Sequence, residues 1–175
     1  MSTDLRYPIG PLQLDIPITP QIRQECLAEL SLAPMRMRAA VEGLSSEQLD
    51  ARYRPEGWTV RQVVHHLIDS QMNWYIRMRL TLTENEPTIK PYDEKLWAEL
   101  TDARSGPVEP SLLLIDGLYQ RSSILFSSLN PDDWKRTLIH PERGILTMDK
   151  SLYLFAWHGR HHAAHITDLR KRMGW

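Results

Sequence analysis

The chain has 175 residues, of which 42% are hydrophobic and 25% charged, and this is the composition of an ordinary globular protein with one hydrophobic core. Its formal net charge of −1 offers no basic surface of the kind that binds nucleic acid, and its longest apolar run is too short to span a bilayer. We therefore expect a single domain over residues 1–175 that binds neither nucleic acid nor a membrane.

Residues 1–18 are rich in proline and β-branched side chains and predict an extended arm that lies on the domain. The first helix is expected to begin after Thr19, an N-cap candidate that Pro20 follows, and to end at Gly43. Pro34 lies inside this helix, and we expect it to kink or briefly break the helix.

The second helix has the clearest start in the sequence, because Thr59 and Gln62 are spaced as a capping box. Apolar residues at helical spacing then predict a helix that continues to about Leu82. The connection that follows, at 83–109, is long enough to form part of a site lid and is expected to contain one short helix around 93–100.

The third and fourth helices are predicted at about 110–129 and 149–173. The segment between them contains His140 and Gly144 and is expected to be a loop, because alternating strand patterns are nearly absent from the chain. For His140 we expect a role in the turn, with access to the rim of a site as the alternative. Four amphipathic helices predict an all-α fold, a four-helix bundle with an extended N-terminal arm and a long connection after the second helix.

Six of the seven histidines fall in the second and fourth predicted helices. Histidines four residues apart lie on one face of a helix, so a pair from one helix and a third ring from a facing helix can form a three-histidine metal site. The histidines concerned are His65, His66, His158, His161, His162 and His165.

Helical periodicity on the fourth helix indicates which of its rings face the core. His158 and His162 form the pair that lies closer to the apolar stripe. His161 is nearly opposite and His165 lies farther out, so a solvated or interface face is expected for both, with a supporting role beside the ligands as the alternative.

On the second helix, His65 and His66 flank the apolar stripe at similar angles on opposite sides. The flank of His66 carries small and polar side chains, which suit a site that must admit water and a substrate. Periodicity thus favours His66 and leaves His65 open as the alternative ligand.

Three neutral imidazoles suit one divalent ion, with zinc or nickel expected, and leave a coordination position open. An ion held in this way lowers the pKa of water for hydrolysis, or the pKa of a thiol for attack on an electrophile. Asp69 and His165 are considered as general bases, but neither clearly faces the predicted site. No catalytic residue beyond the ligands is therefore assigned.

Two stretches resemble the DinB/YfiT-like superfamily, GWTVRQVVHHLIDSQMNWYIR in the second helix and WHGRHHAAHITDLRKRMGW in the fourth. The resemblance extends to YPIG in the arm and LTENEPTIKPY in the connection. Within the superfamily, the chain most resembles the YfiT group of metal-dependent hydrolases, which are related to bacillithiol S-transferases. It implies a four-helix bundle, commonly a homodimer, that binds a divalent metal through one histidine of the second helix and an H-x-x-x-H pair of the last.

The resemblance also implies which histidines are the ligands. The family's ligand on the second helix stands eight residues after a tryptophan, which corresponds to His66 after Trp58. The pair on the last helix corresponds to His158 and His162. Many relatives have glutamine at the position of His165, which implies that His165 is not a ligand.

The leading hypothesis is a metal-dependent hydrolase of YfiT type that acts on a small molecule. The first alternative is a metal-dependent S-transferase that uses bacillithiol or a similar low-molecular-weight thiol, for which Arg77, Arg160 and the 83–109 connection are candidate contacts. The second is a noncatalytic metal- or ligand-binding bundle that dimerises through the third or fourth helix.

A cytoplasmic location is expected from the cysteine content and the first residues of the chain. The one cysteine, Cys26, can form no internal disulfide, which fits a reducing compartment. Asp4 and Pro8 stand where a signal peptide would need basic and apolar residues.

Overall fold

Four long helices pack around the hydrophobic core in a computed structural model, which describes residues 4–175. In chain order, the helices are α1 (Pro20–Val41), α2 (Ser46–Leu49), α3 (Val60–Thr83), α4 (Glu94–Ala98), α5 (Thr101–Ser105), α6 (Glu109–Ser127) and α7 (Met148–Met173). A 3-10 turn at Asp133–Lys135 and the strands β1 (Thr137–His140) and β2 (Gly144–Thr147) lie between α6 and α7.

The long helices α1, α3, α6 and α7 form the bundle. Helix α1 packs against α6 and α7, and α3 packs against the same two helices, so α1 and α3 lie diagonally across the bundle. This confirms the predicted all-α four-helix bundle. Among residues 4–175, no helix combines the length and the hydrophobicity needed to cross a membrane.

Side-chain caps fix the starts of the two helices that carry the histidines. The Thr59 hydroxyl accepts a hydrogen bond from the Gln62 backbone, and the Gln62 side chain accepts one from the Thr59 backbone, which confirms the capping box. Helix α7 begins in the same way, because the Thr147 hydroxyl accepts a hydrogen bond from the backbone of Lys150. Gly174 ends α7 in a left-handed conformation, with φ of 72°.

Three local predictions need correction. Helix α1 continues through Pro34 without the brief break expected as the alternative to a kink, and Leu30, Ala33 and Met37 on either side are buried in the core. The connection contains a second short helix, α5, besides the expected one. The segment predicted as a loop around His140 is a β-hairpin.

The hairpin pairs β1 and β2 in antiparallel register, from Thr137 opposite Thr147 to His140 opposite Gly144. Each strand has only four residues, so too few alternating positions exist for periodicity to indicate a strand. A parallel bridge between Thr88 and β1 then ties the 83–109 connection to the hairpin. These two segments together form one wall beside α3.

The connection is also fixed to the start of α3. Arg61 donates from Nε to Asp50 at 2.7 Å and from Nη1 to the carbonyl oxygen of Gly106 at 2.8 Å. The Gln62 side chain donates to the carbonyl oxygen of Ala98 at 2.8 Å. Residues 83–109 therefore have a defined position relative to the histidines of α3.

The N-terminal arm contains no helix or strand over residues 4–18, and it lies on α7. The carbonyl oxygen of Arg6 contacts His165, and the ring centroid of Tyr7 is 6.1 Å from that of His161. The arm therefore covers part of the helix that carries four histidines. The first three residues of the predicted arm lie outside the described residues.

Candidate metal centre

Three imidazole rings converge where α3 faces α7. His66, His158 and His162 each present one ring nitrogen, and these three atoms all lie within 4.8 Å of one another. The Nε2 atoms of His158 and His162 are 2.9 Å apart. The ring centroid of His66 is 5.3 Å from that of His158 and 4.8 Å from that of His162. These are the three residues that the sequence predicted as ligands.

The Tyr119 side chain reaches from α6 to the part of α7 that carries His158. Gly159 lies against Tyr119 of α6, and a Cβ atom at this position would stand only 2.8 Å from the Tyr119 hydroxyl oxygen. Glycine therefore leaves room for the Tyr119 hydroxyl group, which any larger residue would displace. His158, directly before it, is turned toward α3.

His65 does not join the cluster. Its Nδ1 lies 2.7 Å from the Ser111 hydroxyl oxygen at the start of α6, and its Nε2 lies 3.4 Å from the Gly106 carbonyl oxygen. Both ring nitrogens are thus occupied on the opposite side of α3. Of the two candidates on this helix, the structure brings only His66 to the other histidines.

A cavity of about 450 Å³ opens beside the three rings. Its walls come from α3, the 83–109 connection, the β1–β2 hairpin, α7 and Tyr7 of the arm. His140 lines this cavity and is buried, so it is more than a turn residue. Arg77 lines it as well, whereas Arg160 lines a neighbouring cavity between the arm and α7. Asp69 belongs to neither.

Burial keeps the three converging rings neutral. Desolvation, followed by the charge of neighbouring histidines, lowers the pKa of His66 to about 4. The same two causes, in the same order, hold the pKa values of His158 and His162 well below 6.5. Neutral rings keep their lone pairs at physiological pH, as metal ligands must.

The comparisons with known proteins agree with this geometry. The family model of the DinB superfamily matches residues 29–166. This chain belongs to the DinB superfamily. A Bacillus cereus (strain B4264) protein is 49% identical over 172 residues, which are 98% of this chain and 99% of that protein. A protein of Oceanobacillus iheyensis is 51% identical over 170 residues, which are 97% and 98% of the two chains.

The structure of YfiT from Bacillus subtilis superposes on this DinB-superfamily chain with a TM-score of 0.95 at 44% identity, and the match covers 99% of both chains. That structure is described as having an unusual four-helix bundle topology. YfiT and both bacterial relatives are provisionally named metal-dependent hydrolases. Together these likenesses confirm the resemblance that the sequence indicated.

The donor set of this DinB-superfamily chain fits a divalent ion. The Nε2 atoms of His158 and His162 lie 2.9 Å apart, and when both rings carry their protons on Nδ1, the two lone pairs can bind the same cation. Within residues 4–175, no fourth histidine, cysteine or carboxylate ligand atom belongs to the cluster. Three nitrogen ligands beside a cavity are the arrangement of a catalytic site, because a structural zinc site closes with four protein ligands.

A chain of hydrogen bonds assigns the tautomer of His162. Nε2 of His165 lies 3.1 Å from the carbonyl oxygen of Arg6, so this nitrogen carries a proton and donates it. Nδ1 of His165 is then an acceptor, and it lies 3.4 Å from Nδ1 of His162, which must donate. Nε2 of His162 is left with the free lone pair, and it is the atom that faces His158.

The expectation that His161 and His165 lie on a solvated or interface face is wrong. Both are buried, at 7% and 3% exposure. The ring of His161 stacks on Trp157 with centroids 4.2 Å apart, and that of His165 stacks on Tyr53 at 4.1 Å. The arm and the segment around Tyr53 cover this face of α7, and the periodicity of one helix carries no information about segments so distant in sequence.

We expect His165→Ala to weaken zinc binding about 10–100-fold, because the ring that fixes the tautomer and orientation of His162 is lost. His165→Gln is expected to retain most of the affinity, since an amide can both donate to Arg6 and accept from His162. Competition between the protein and a chromogenic chelator measures the affinity. Equal affinities of His165→Ala and wild type, with both folded by circular dichroism, would contradict the supporting role.

Proposed function

We propose that this protein is a metal-dependent hydrolase that holds one zinc or nickel ion on His66, His158 and His162. One observation carries the proposal: three neutral imidazole nitrogens within 4.8 Å of one another border a cavity of about 450 Å³. The names of the B. cereus, O. iheyensis and YfiT relatives support the same reaction class.

When bound, a divalent ion supplies a Lewis acid that lowers the pKa of water and polarises the bond to be broken. In the hydrolysis, a water oxygen bonds to the acyl carbon, the bond to the leaving alcohol or amine breaks, and the water proton ends on the leaving group. The chain holds the three rings in place through the packing of α3 on α7 and through the hydrogen bonds of His165.

His140 presents a hydrogen-bond donor in the cavity wall. Its Nδ1 accepts a hydrogen bond from the Glu142 backbone N–H at 3.2 Å, so the proton of the neutral ring is on Nε2. The ring of Trp74 lies nearly parallel to it, at 22° and 6.0 Å between centroids, and limits its rotation. We assign the neutral His140 ring as a hydrogen-bond donor to the substrate, through its Nε2–H.

A thiol S-transferase is the second candidate function, and the charged walls of the cavity favour it. Arg77 and Arg143 line the cavity together with Glu94 and Glu142, and such a surface suits a polar cosubstrate such as bacillithiol. In that reaction the sulfur of the thiolate bonds to an electrophilic carbon, and the leaving group departs with its electron pair. The same three histidines would hold the metal in both reactions.

The two reactions are distinguished by a panel of esters, amides and electrophiles such as monochlorobimane, assayed with and without bacillithiol. Cleavage of an ester or amide by zinc- or nickel-loaded protein without thiol, and its loss after chelation, is the result we expect. Conjugation that requires both metal and thiol would replace the hydrolase by the S-transferase. Inactivity throughout would favour the noncatalytic metal-binding bundle.

We also propose that the protein acts on a small molecule in the cytoplasm and forms a homodimer through α6. Three large apolar side chains of this helix are exposed, Leu113, Leu114 and Ile124. Exposed apolar side chains on one helix support association through that helix. Sedimentation equilibrium of wild type and Ile124→Glu tests the dimer.

A further inference from the structure

Arg77 is a buried cation that has no acidic partner. Its exposure is 6%, and no ion pair among residues 4–175 includes it. Its Nη2 donates to the Lys90 carbonyl oxygen at 2.9 Å, and its guanidinium carbon is 5.1 Å from the ring centroid of Trp74. A buried charge without a counter-ion is costly, and here the guanidinium borders the cavity.

The cavity follows one face of α3 from the metal centre to this arginine. His66, Ser70, Trp74 and Arg77 all line it, and their spacing of four, four and three residues places them in one row along the helix. The row spans about 16 Å of helix axis. A molecule bound between its two ends is therefore elongated, with one group at the histidines and another at Arg77.

Further hydrogen-bond donors line the same cavity. His140 stacks on the same Trp74 ring and has its Nε2 proton free for a ligand. Arg143 lines the cavity, is exposed, and takes part in no ion pair among the described residues. The acids that line the cavity, Glu94 and Glu142, are both exposed and lie beyond ion-pair distance of Arg77.

We infer that the substrate carries a carboxylate or phosphate group that binds Arg77, while its reacting group lies beside His66, His158 and His162. Arginine presents a planar fork of N–H donors that matches the paired oxygens of such anions. This inference rests on the proposed metal centre for the position of the reacting group. The anion site itself depends only on residues of the chain.

A series of hydroxamic acids of increasing tail length tests this, because a hydroxamate chelates a metal that has open positions. Each tail ends in a carboxylate, a phosphonate or a neutral methyl ester, and binding to zinc-loaded protein is measured by calorimetry. At one tail length we expect an anionic member to bind at least about tenfold more tightly than its ester. The better of the two anions identifies the group in the substrate.

Arg77→Met is expected to abolish this preference and to leave the affinity for the ester unchanged. Arg77→Lys should retain part of it, since the charge remains but the fork is lost. Arg79→Met is the matched control, because Arg79 lies on the same helix but is exposed and contacts Tyr75. Circular dichroism establishes that each variant is folded.

The same tails without the hydroxamate are titrated into metal-free protein, so that the anion site is tested separately from the metal centre. Hydroxamates that fail to bind would contradict the proposed metal centre, whereas Arg77-dependent binding of the anionic tails would still support the inference. An anion preference that Arg77→Met retains would overturn it. The inference would also be overturned if the anionic tails bound no more tightly than the ester at every tail length, in both the zinc-loaded and the metal-free protein.

Discussion

The His158→Ala variant is expected to bind less than about a tenth of an equivalent of zinc or nickel under conditions in which wild type binds about one. His158 supplies one of three nitrogens that lie within 4.8 Å of one another, and within residues 4–175 no other side chain of the cluster can replace it. Removal of a residue that supports a ligand typically weakens metal binding about 10–100-fold. Removal of a ligand itself should weaken it more. Elemental analysis after gel filtration measures the bound metal.

His65→Ala is the matched control for this prediction. His65 is also a buried histidine and adjoins His66, but its ring nitrogens contact Ser111 of α6 and the carbonyl oxygen of Gly106 instead of the cluster. The His65→Ala variant should therefore bind about as much metal as wild type, even if its free energy of unfolding is lower. Equal metal content in the two variants would show that the three rings do not form the binding site. We expect the rate of hydrolysis to be proportional to the metal content.

Local sequence signals were sufficient to predict the elements that hold the candidate site. The capping box at Thr59 fixes the start of α3, and from there helical periodicity gives the direction of every side chain up to His66 and beyond. The H-x-x-x-H pair at His158 and His162 needs only one helix to bring both rings together. These predictions depend on residues close to one another in sequence.

Features that depend on distant segments could not be predicted in this way. The burial of His161 and His165 depends on Tyr7 and Tyr53, which reach α7 only in the folded chain. His140 belongs to a hairpin whose strands are too short for a periodic signal. Periodicity reports which face of a helix is apolar, but it does not report what covers the polar face.

Acid is expected to unfold the metal-free protein well above the pH at which its carboxylates titrate. The pKa of His161 is lowered to about 3 and those of His66 and His165 to about 4, by burial foremost, and those of His158 and His162 lie well below 6.5. In the unfolded chain these rings have a pKa near 6.5. Below that pH the unfolded chain therefore binds protons that the folded chain does not.

The free energy of unfolding should accordingly be constant above about pH 7 and fall as the pH decreases from 6.5 toward 4. Each shifted ring contributes up to about 1.4 kcal/mol per pH unit in this range, which is a large part of a typical total of about 5–15 kcal/mol when several rings act together. Asp69 acts in the opposite direction, because burial raises its pKa to about 6 and the folded chain then binds the extra proton. One carboxyl group offsets only a small part of the effect of five rings.

Urea unfolding with a chelator present, followed by circular dichroism between about pH 7.5 and 4.5, measures this dependence. The double variant His158→Ala, His162→Ala should show a slope smaller by about two protons, because two of the shifted rings are absent. Zinc should move the wild-type curve to lower pH, since metal binds only the folded, deprotonated rings, and should leave the double variant unchanged. A wild-type free energy of unfolding that stays constant from pH 7 to 5 would contradict this prediction. It would mean that the folded chain accepts protonated histidines, and that the cluster is too exposed to solvent to keep its nitrogens free for an ion.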